Sequence, residues 1–187
     1  MAPLETVHFF ARRFDSIGLP WMLVGSVAGS FYGLGRTTLD IDLVIDLAAR
    51  PAQLVARSVE PEYFIDEVAL AASKRNGEMV SALVQQGIGF KVDINPLRMD
   101  HFERVAFGRR RREDWEGTPV SVISPPDLVI SKLKWGKPSW SERQFSDVQA
   151  IMALELFDEH DPDFQHWIQR LDLGDALEAS RSSRYGN

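Results

Sequence analysis

Acids and apolar residues alternate at two places in this chain, and that pattern restricts how its middle can fold. One place is Asp40-Ile41-Asp42-Leu43-Val44-Ile45; the other is Val92-Asp93-Ile94 within GFKVDINPL. Side chains alternate across a strand, so Asp40 and Asp42 share one face while Ile41 and Leu43 turn to the core. Asp93 is held the same way between Val92 and Ile94. If the two strands lie side by side, three carboxylates converge. Like charges at that spacing repel unless a cation or a donor sits between them. Hard oxygen ligands suit Mg²⁺ or Mn²⁺. Three carboxylates can hold two such ions for in-line phosphoryl or nucleotidyl transfer.

A second feature lies just upstream. Trp21-Met22-Leu23-Val24 reads as a short apolar strand stopped by Gly25, and Ser26 to Leu34 as a small-residue helix. Glycine lets a backbone approach a phosphate closely. A helix start offers unpaired N–H groups and a positive dipole end, and the Ser26 hydroxyl adds a donor. The same Gly25-Ser26 pair also reads as a plain strand-to-helix turn with a capping serine. The two readings are compatible.

The rest of the chain frames these segments. Leu4 to Ile17 has helical spacing and is ended by Gly18 and Pro20. Gly35-Arg36-Thr37-Thr38 is a polar turn, and Pro51 opens a helix to about Val59. Glu62 to Arg75 holds a short strand and a helix, followed by a turn at Asn76-Gly77. Met79 to Val84 and Gly89 to Asn95 read as a hairpin turning near Gln86-Gly87. Glu116-Gly117-Thr118 is a turn and Val120 to Ile123 a last short strand. Ser124-Pro125-Pro126-Asp127 is a strong helix start. The remainder of the chain is helical in pattern, with breaks at Lys137-Pro138 and Asp161-Pro162. The expected fold is α/β: a small mixed sheet with flanking helices over residues 1–123, then a helical part over 124–187 packed on that core.

Bulk properties exclude several classes. The 187 residues contain no Cys, so there is no disulfide framework, zinc-thiolate site or cysteine nucleophile. No apolar run reaches the ~18 residues of a membrane span, and the N-terminus lacks a signal-peptide layout. A cytoplasmic protein is expected. A net charge of -6 argues against a generic nucleic-acid coat protein. No G-K-[ST] occurs, and the glycines do not spell a dinucleotide fingerprint.

GSVAGSFYGLGRTTLDIDLVI resembles the signature of the nucleotidyltransferase fold related to DNA polymerase beta: Gly-Ser, then Asp-x-Asp, then a distal third Asp. Arg36 and Thr38 match the common form of the turn before Asp40. SPPDLVISKLKWG followed by SERQFSDVQAIM resembles the helical part of the branch with abortive-infection toxin nucleotidyltransferases. The likeness covers most of Trp21 to Ala153. It implies that Gly25, Ser26, Arg36 and Thr38 hold a nucleoside triphosphate, with Lys132 and Lys134 as further candidates. It implies that Asp40, Asp42 and Asp93 bind Mg²⁺ or Mn²⁺ and are catalytic. The reaction implied moves a nucleoside monophosphate to a hydroxyl on tRNA, protein or a small molecule. A cognate antitoxin or a second copy is the further partner implied, and no membrane. Arg143 with Asp147 stands where that branch carries an Arg-containing acidic motif. The alternative is a non-catalytic module that keeps the fold and binds a nucleotide or a protein.

Plainer readings stand beside these. Lys132 and Lys134 also suit the exposed side of a helix, and Arg143 with Asp147 a surface ion pair. The run Arg109 to Arg112 reads as a solvated basic face. His8, His101, His160 and His166 have no metal-ligand spacing. Trp135, Trp140, Phe145, Phe157, Phe164 and Trp167 read as the core of the helical part.

Overall fold

In the computed structural model, residues 3–35, 40–85 and 90–182 are described. The chain divides into two compact units, one of Met1–Val27 with Thr37–Ile123, the other of Ala28–Arg36 with Ser124–Asn187.

The first unit is built on a seven-stranded mixed sheet. Its strands are β1 (Trp21–Val24), β2 (Asp40–Ile45), β3 (Tyr63–Phe64), β4 (Val80–Val84), β5 (Lys91–Pro96), β6 (Arg111–Trp115) and β7 (Thr118–Val122). They run in the order β3-β4-β5-β2-β1-β7-β6. The pairs β2·β5 and β1·β7 are parallel and the others antiparallel. One sheet face is continuous and apolar: Trp21, Leu23, Ile41, Leu43, Ile45, Val92, Ile94, Val80, Ala82, Val120 and Val122 are all buried.

Helix α1 (Pro3–Ser16) presents Val7, Phe10, Ala11 and Phe14, all fully buried. Phe14 meets Trp21 edge-on at 6.4 Å between ring centroids, and Phe10 meets Tyr63 at 4.8 Å. Burying an aromatic or aliphatic side chain of this size contributes roughly 1.5–3 kcal/mol. Helices α3 (Ala52–Ser58) and α4 (Glu67–Asn76) follow β2 and β3. Asp66 caps α4 through the N–H groups of Val68 and Ala69, and Gly77 ends it with φ 71°.

Two elements depart from the sequence reading. Helix α5 (His101–Gly108) lies in a stretch to which the sequence reading assigns no element; Asp100 caps it and Phe102, Ala106 and Phe107 are its buried face. The arginine run then continues into β6, an outer strand. Glu116 (φ 47°) and Gly117 (φ 83°) both take left-handed backbone and turn the chain into β7, the geometry of a two-residue hairpin turn. The run is not uniformly solvated. Arg111 and Arg112 are exposed. Arg110 lies 4.3 Å from the Phe107 ring centroid, and burial pushes its guanidinium below its usual range, offset by nearby Asp46.

The second unit is helical: α6 (Pro125–Gly136), a 3₁₀ turn (Lys137–Ser139), α7 (Glu142–Met152), α8 (Pro162–Arg170) and α9 (Gly174–Arg181). Helix α2 (Gly25–Phe31) joins the units in sequence and is shorter than the expected Ser26 to Leu34. Ser124 caps α6, accepting from Asp127 N–H and donating to the buried Asp127 carboxylate at 2.6 Å. Gly136 admits α7 closely, since a Cβ there would stand 2.9 Å from Gln144 Cβ. Phe145, Phe164 and Trp167 are core residues as expected. Trp135 and Trp140 are not, being 65% and 52% exposed, and Phe157 is half-buried. No described helix is long and apolar enough to cross a membrane.

Candidate active site

The second face of the sheet carries the acids. Register decides which of them meet. β2 and β5 run parallel with Asp42 opposite Asp93 and Asp40 opposite Lys91. β1 adds Val24 opposite Asp42 on one side, and β4 adds Ser81 opposite Asp93 on the other. One row therefore reads Val24, Asp42, Asp93, Ser81. The neighbouring row begins Asp40, Lys91.

Burial grades along this face. Asp40 is exposed, Asp42 half-buried and Asp93 buried. A buried carboxylate needs partners, and among the described residues Asp93 has two. Ser81 Oγ donates to its Oδ1 at 2.8 Å, and Lys91 Nζ stands 3.0 Å from its Oδ2. The same ammonium lies 3.9 Å from Asp40 Oδ1. Its hydrogen bond to Asp93 raises the Lys91 pKa; desolvation opposes this, and Asp93, Asp40 and Asp42 add attraction.

Gly25 closes the row's far end. Its φ is 67°, and a Cβ there would overlap the Asp42 carboxylate. A side chain at this position would be strained by backbone and by contact alike. The helix that begins at Gly25 spans seven residues and starts one residue before the expected cap at Ser26.

Other sequence candidates fall elsewhere. Arg36, Thr38 and the expected Gln86-Gly87 turn lie outside the described residues. Lys132 and Lys134 belong to the second unit. Lys132 is 4% exposed, so it is not on the solvent side of α6. Its Nζ lies 2.7 Å from Asp147 Oδ2 and 3.5 Å from Gln144 Oε1. Asp147 thus pairs with a buried lysine on α6, while Arg143 is exposed. Lys134 is half-buried.

Two residues escaped the sequence reading. Ser81 carries no motif. Lys91 sits two positions before Asp93, so period-2 alternation already places it on the acid face; its closeness to Asp40 depends on the parallel register.

Divalent-cation binding can be tested against this geometry. The donors are hard carboxylate oxygens, two of them on directly paired residues, and the Lys91 ammonium stands as a cation between Asp40 and Asp93. In kind, and in the direct pairing of Asp42 with Asp93, the acids suit a divalent ion. Among the described residues no three acidic or histidine side chains are already drawn together as a closed cluster. Asp40 in particular is 61% exposed at its side chain.

The fold itself has known counterparts. An antigenic nucleotidyltransferase-like protein from Paracoccidioides brasiliensis superposes with a TM-score of 0.57 at 17% identity, over 94% of this chain and 91% of that one. The chain has the nucleotidyltransferase fold. The antibiotic-resistance factor ANT(2'')-Ia in solution superposes with a TM-score of 0.54 at 14% identity, over 97% and 94% of the two chains. The same factor in complex with adenylyl-2''-tobramycin gives 0.52 at 14% identity, over 96% and 97%. No family model matches the sequence, and no curated protein matches it.

Proposed function

We propose that this nucleotidyltransferase-fold protein is a divalent-cation-dependent nucleotidyltransferase. It moves a nucleoside monophosphate from a nucleoside triphosphate to an acceptor hydroxyl and releases pyrophosphate. The observation that carries this reading is the direct pairing of Asp42 with Asp93 on parallel strands, with Asp40 beside them and side-chain-free Gly25 against Asp42.

Asp40, Asp42 and Asp93 would hold Mg²⁺ or Mn²⁺. When bound, the ion neutralises charge on the triphosphate and favours the ionised form of the acceptor hydroxyl. The chain's own residues do the rest. Gly25 keeps the wall beside Asp42 flat, so a phosphate can come close. Asp93, oriented by Ser81, would take the acceptor proton. The acceptor oxygen then bonds to the α-phosphorus as the bond to the bridging oxygen breaks, and pyrophosphate leaves with that electron pair. Such transfer depends mostly on positioning and charge stabilisation.

ANT(2'')-Ia was solved with an adenylylated tobramycin, which supports a hydroxyl acceptor on a small molecule. The resemblance of the α6–α7 segment to the toxin branch supports tRNA or protein as acceptor, and a role beside an antitoxin. One observation favours a second reading, a module that binds without catalysis: the Lys91 ammonium already satisfies Asp93.

Incubating the protein with each α-labelled nucleoside triphosphate, Mg²⁺ and cell extract tests the proposal. Label transferred to tRNA, protein or a small molecule supports it and names the acceptor class. Nucleotide binding without any transfer would leave the module reading standing and sink the enzyme.

A further inference from the structure

We propose that Lys91 is a resident counter-cation of the carboxylate cluster, and that a divalent ion displaces it from Asp93 and Asp40 on binding. The inference rests on the reading that the three acids hold a metal.

The backbone fixes the arrangement. Asp40 pairs with Lys91 across parallel strands, and Asp93 follows Lys91 by two residues on the same face. The ammonium therefore lies 3.0 Å from Asp93 and 3.9 Å from Asp40. Without a cation, three neighbouring carboxylates would repel one another as the sheet forms. Lys91 supplies the missing charge from inside the chain.

An arriving divalent ion meets an occupied Asp93. Ser81 holds one oxygen through a hydroxyl, and a hydroxyl tolerates a cation on a remaining lone pair of the same carboxylate. An ammonium does not tolerate a neighbouring cation, since like charges a few ångströms apart repel strongly away from bulk water. Lys91 is built to leave: its side chain is 44% exposed, and its four-carbon stem is flexible. Metal binding becomes an exchange of cations, and the apparent affinity is lowered by the fraction of molecules in which Lys91 holds the site. A fixed structural ion pair would behave differently, because Lys91 would stay bound beside the metal.

The full chain can be tested with Mg²⁺ alone. An amine-reactive acetylating reagent, with Lys91 modification followed by mass spectrometry, reads the lysine's release. Labelling of Lys91 should rise several-fold as Mg²⁺ is added, while labelling of Lys132 stays low. Calorimetry should show Lys91→Met binding Mg²⁺ roughly three- to tenfold more tightly than the unaltered chain, the size of a partly exposed ion pair. If the variant does not fold, labelling of the unaltered chain decides. Unchanged Lys91 labelling while calorimetry shows Mg²⁺ bound would overturn the exchange and leave the metal site standing. No Mg²⁺ binding to either chain would overturn the metal site and the exchange with it.

Discussion

The Asp42 carboxylate takes up the room that a side chain on Gly25 would need. Glycine at this position keeps left-handed backbone and carboxylate compatible. Gly25→Ala should destabilise the fold by about 1–3 kcal/mol from backbone strain and push Asp42 out of line with Asp93. Thermal melts read the first effect. Loss of the Mg²⁺-dependent thermal shift with nucleoside triphosphates reads the second. A variant that keeps both its melting point and that shift would remove Gly25 from the site.

Asp42→Asn and Asp93→Asn separate function from folding. Asp42→Asn removes one like charge from a crowded face, so its stability should hold or rise slightly, by about 0.2–1 kcal/mol for directly opposed charges, whereas Asp93→Asn also takes the partner from Lys91 and should lose up to about 1 kcal/mol. Transfer of label should fall by about 10²–10³-fold if the carboxylate supplies several kcal/mol of metal-mediated stabilisation. Melting point and labelling rate, measured on the same preparation, check the pair of effects. A folded variant with undiminished labelling would contradict the assignment.

How much of this was legible in the sequence depends on which residues are asked. Trp21–Val24 and Asp40–Ile45 were readable because apolar runs and strict alternation are local signals. Ser124 and the prolines after it announced α6 for the same reason. β6 was hidden because Arg111-Arg112-Glu113-Asp114-Trp115 is an outer strand without an apolar face, so it shows no alternation to detect. Lys91 was overlooked because its role depends on which strand lies beside β5 and in what register, neither of which is encoded within a few residues. Lys132 misled in the opposite direction: a lysine in a helix suggests solvent until Asp147, fifteen positions on, proves to be its partner.

That buried pair makes a quantitative prediction in the helical unit. Lys132 and Asp147 side chains are 5% and 9% exposed at 2.7 Å. Removing one partner leaves an uncompensated buried charge, so Lys132→Met should cost about 3–5 kcal/mol. Lys132→Met with Asp147→Leu together should recover most of the loss, since an apolar pair of similar volume replaces the ions. Urea denaturation of the three variants measures this. Additive losses in the double variant would show that the pair is not coupled.

Tyr63 predicts the alkaline limb of stability. Burial raises its pKa above the ordinary 10.0, and its hydroxyl donates to Phe90 O at 3.2 Å. The folded state therefore binds this proton more tightly than the unfolded chain. Its contribution is fully present below pH 10 and is lost as pH rises from there through the folded value. Tyr63→Phe should lose roughly 1 kcal/mol at neutral pH with the hydrogen bond, yet show a shallower decline above pH 10. Denaturation midpoints at several pH values test the slope. An unchanged slope would rule Tyr63 out as its source.

The parallel partnerships at the centre of the sheet have a consequence for synthesis. Asp42 meets Asp93 only once β5 exists, and β1 finds β7 only when residue 122 has been made. A nascent chain ending before β5 holds two of the acids with neither Asp93 nor Lys91 to complete the group. Such distant pairings fold slowly, because loop closure precedes the contacts that reward it. The row of acids is thus incomplete until β5 has been made, and it forms only as the sheet's middle closes.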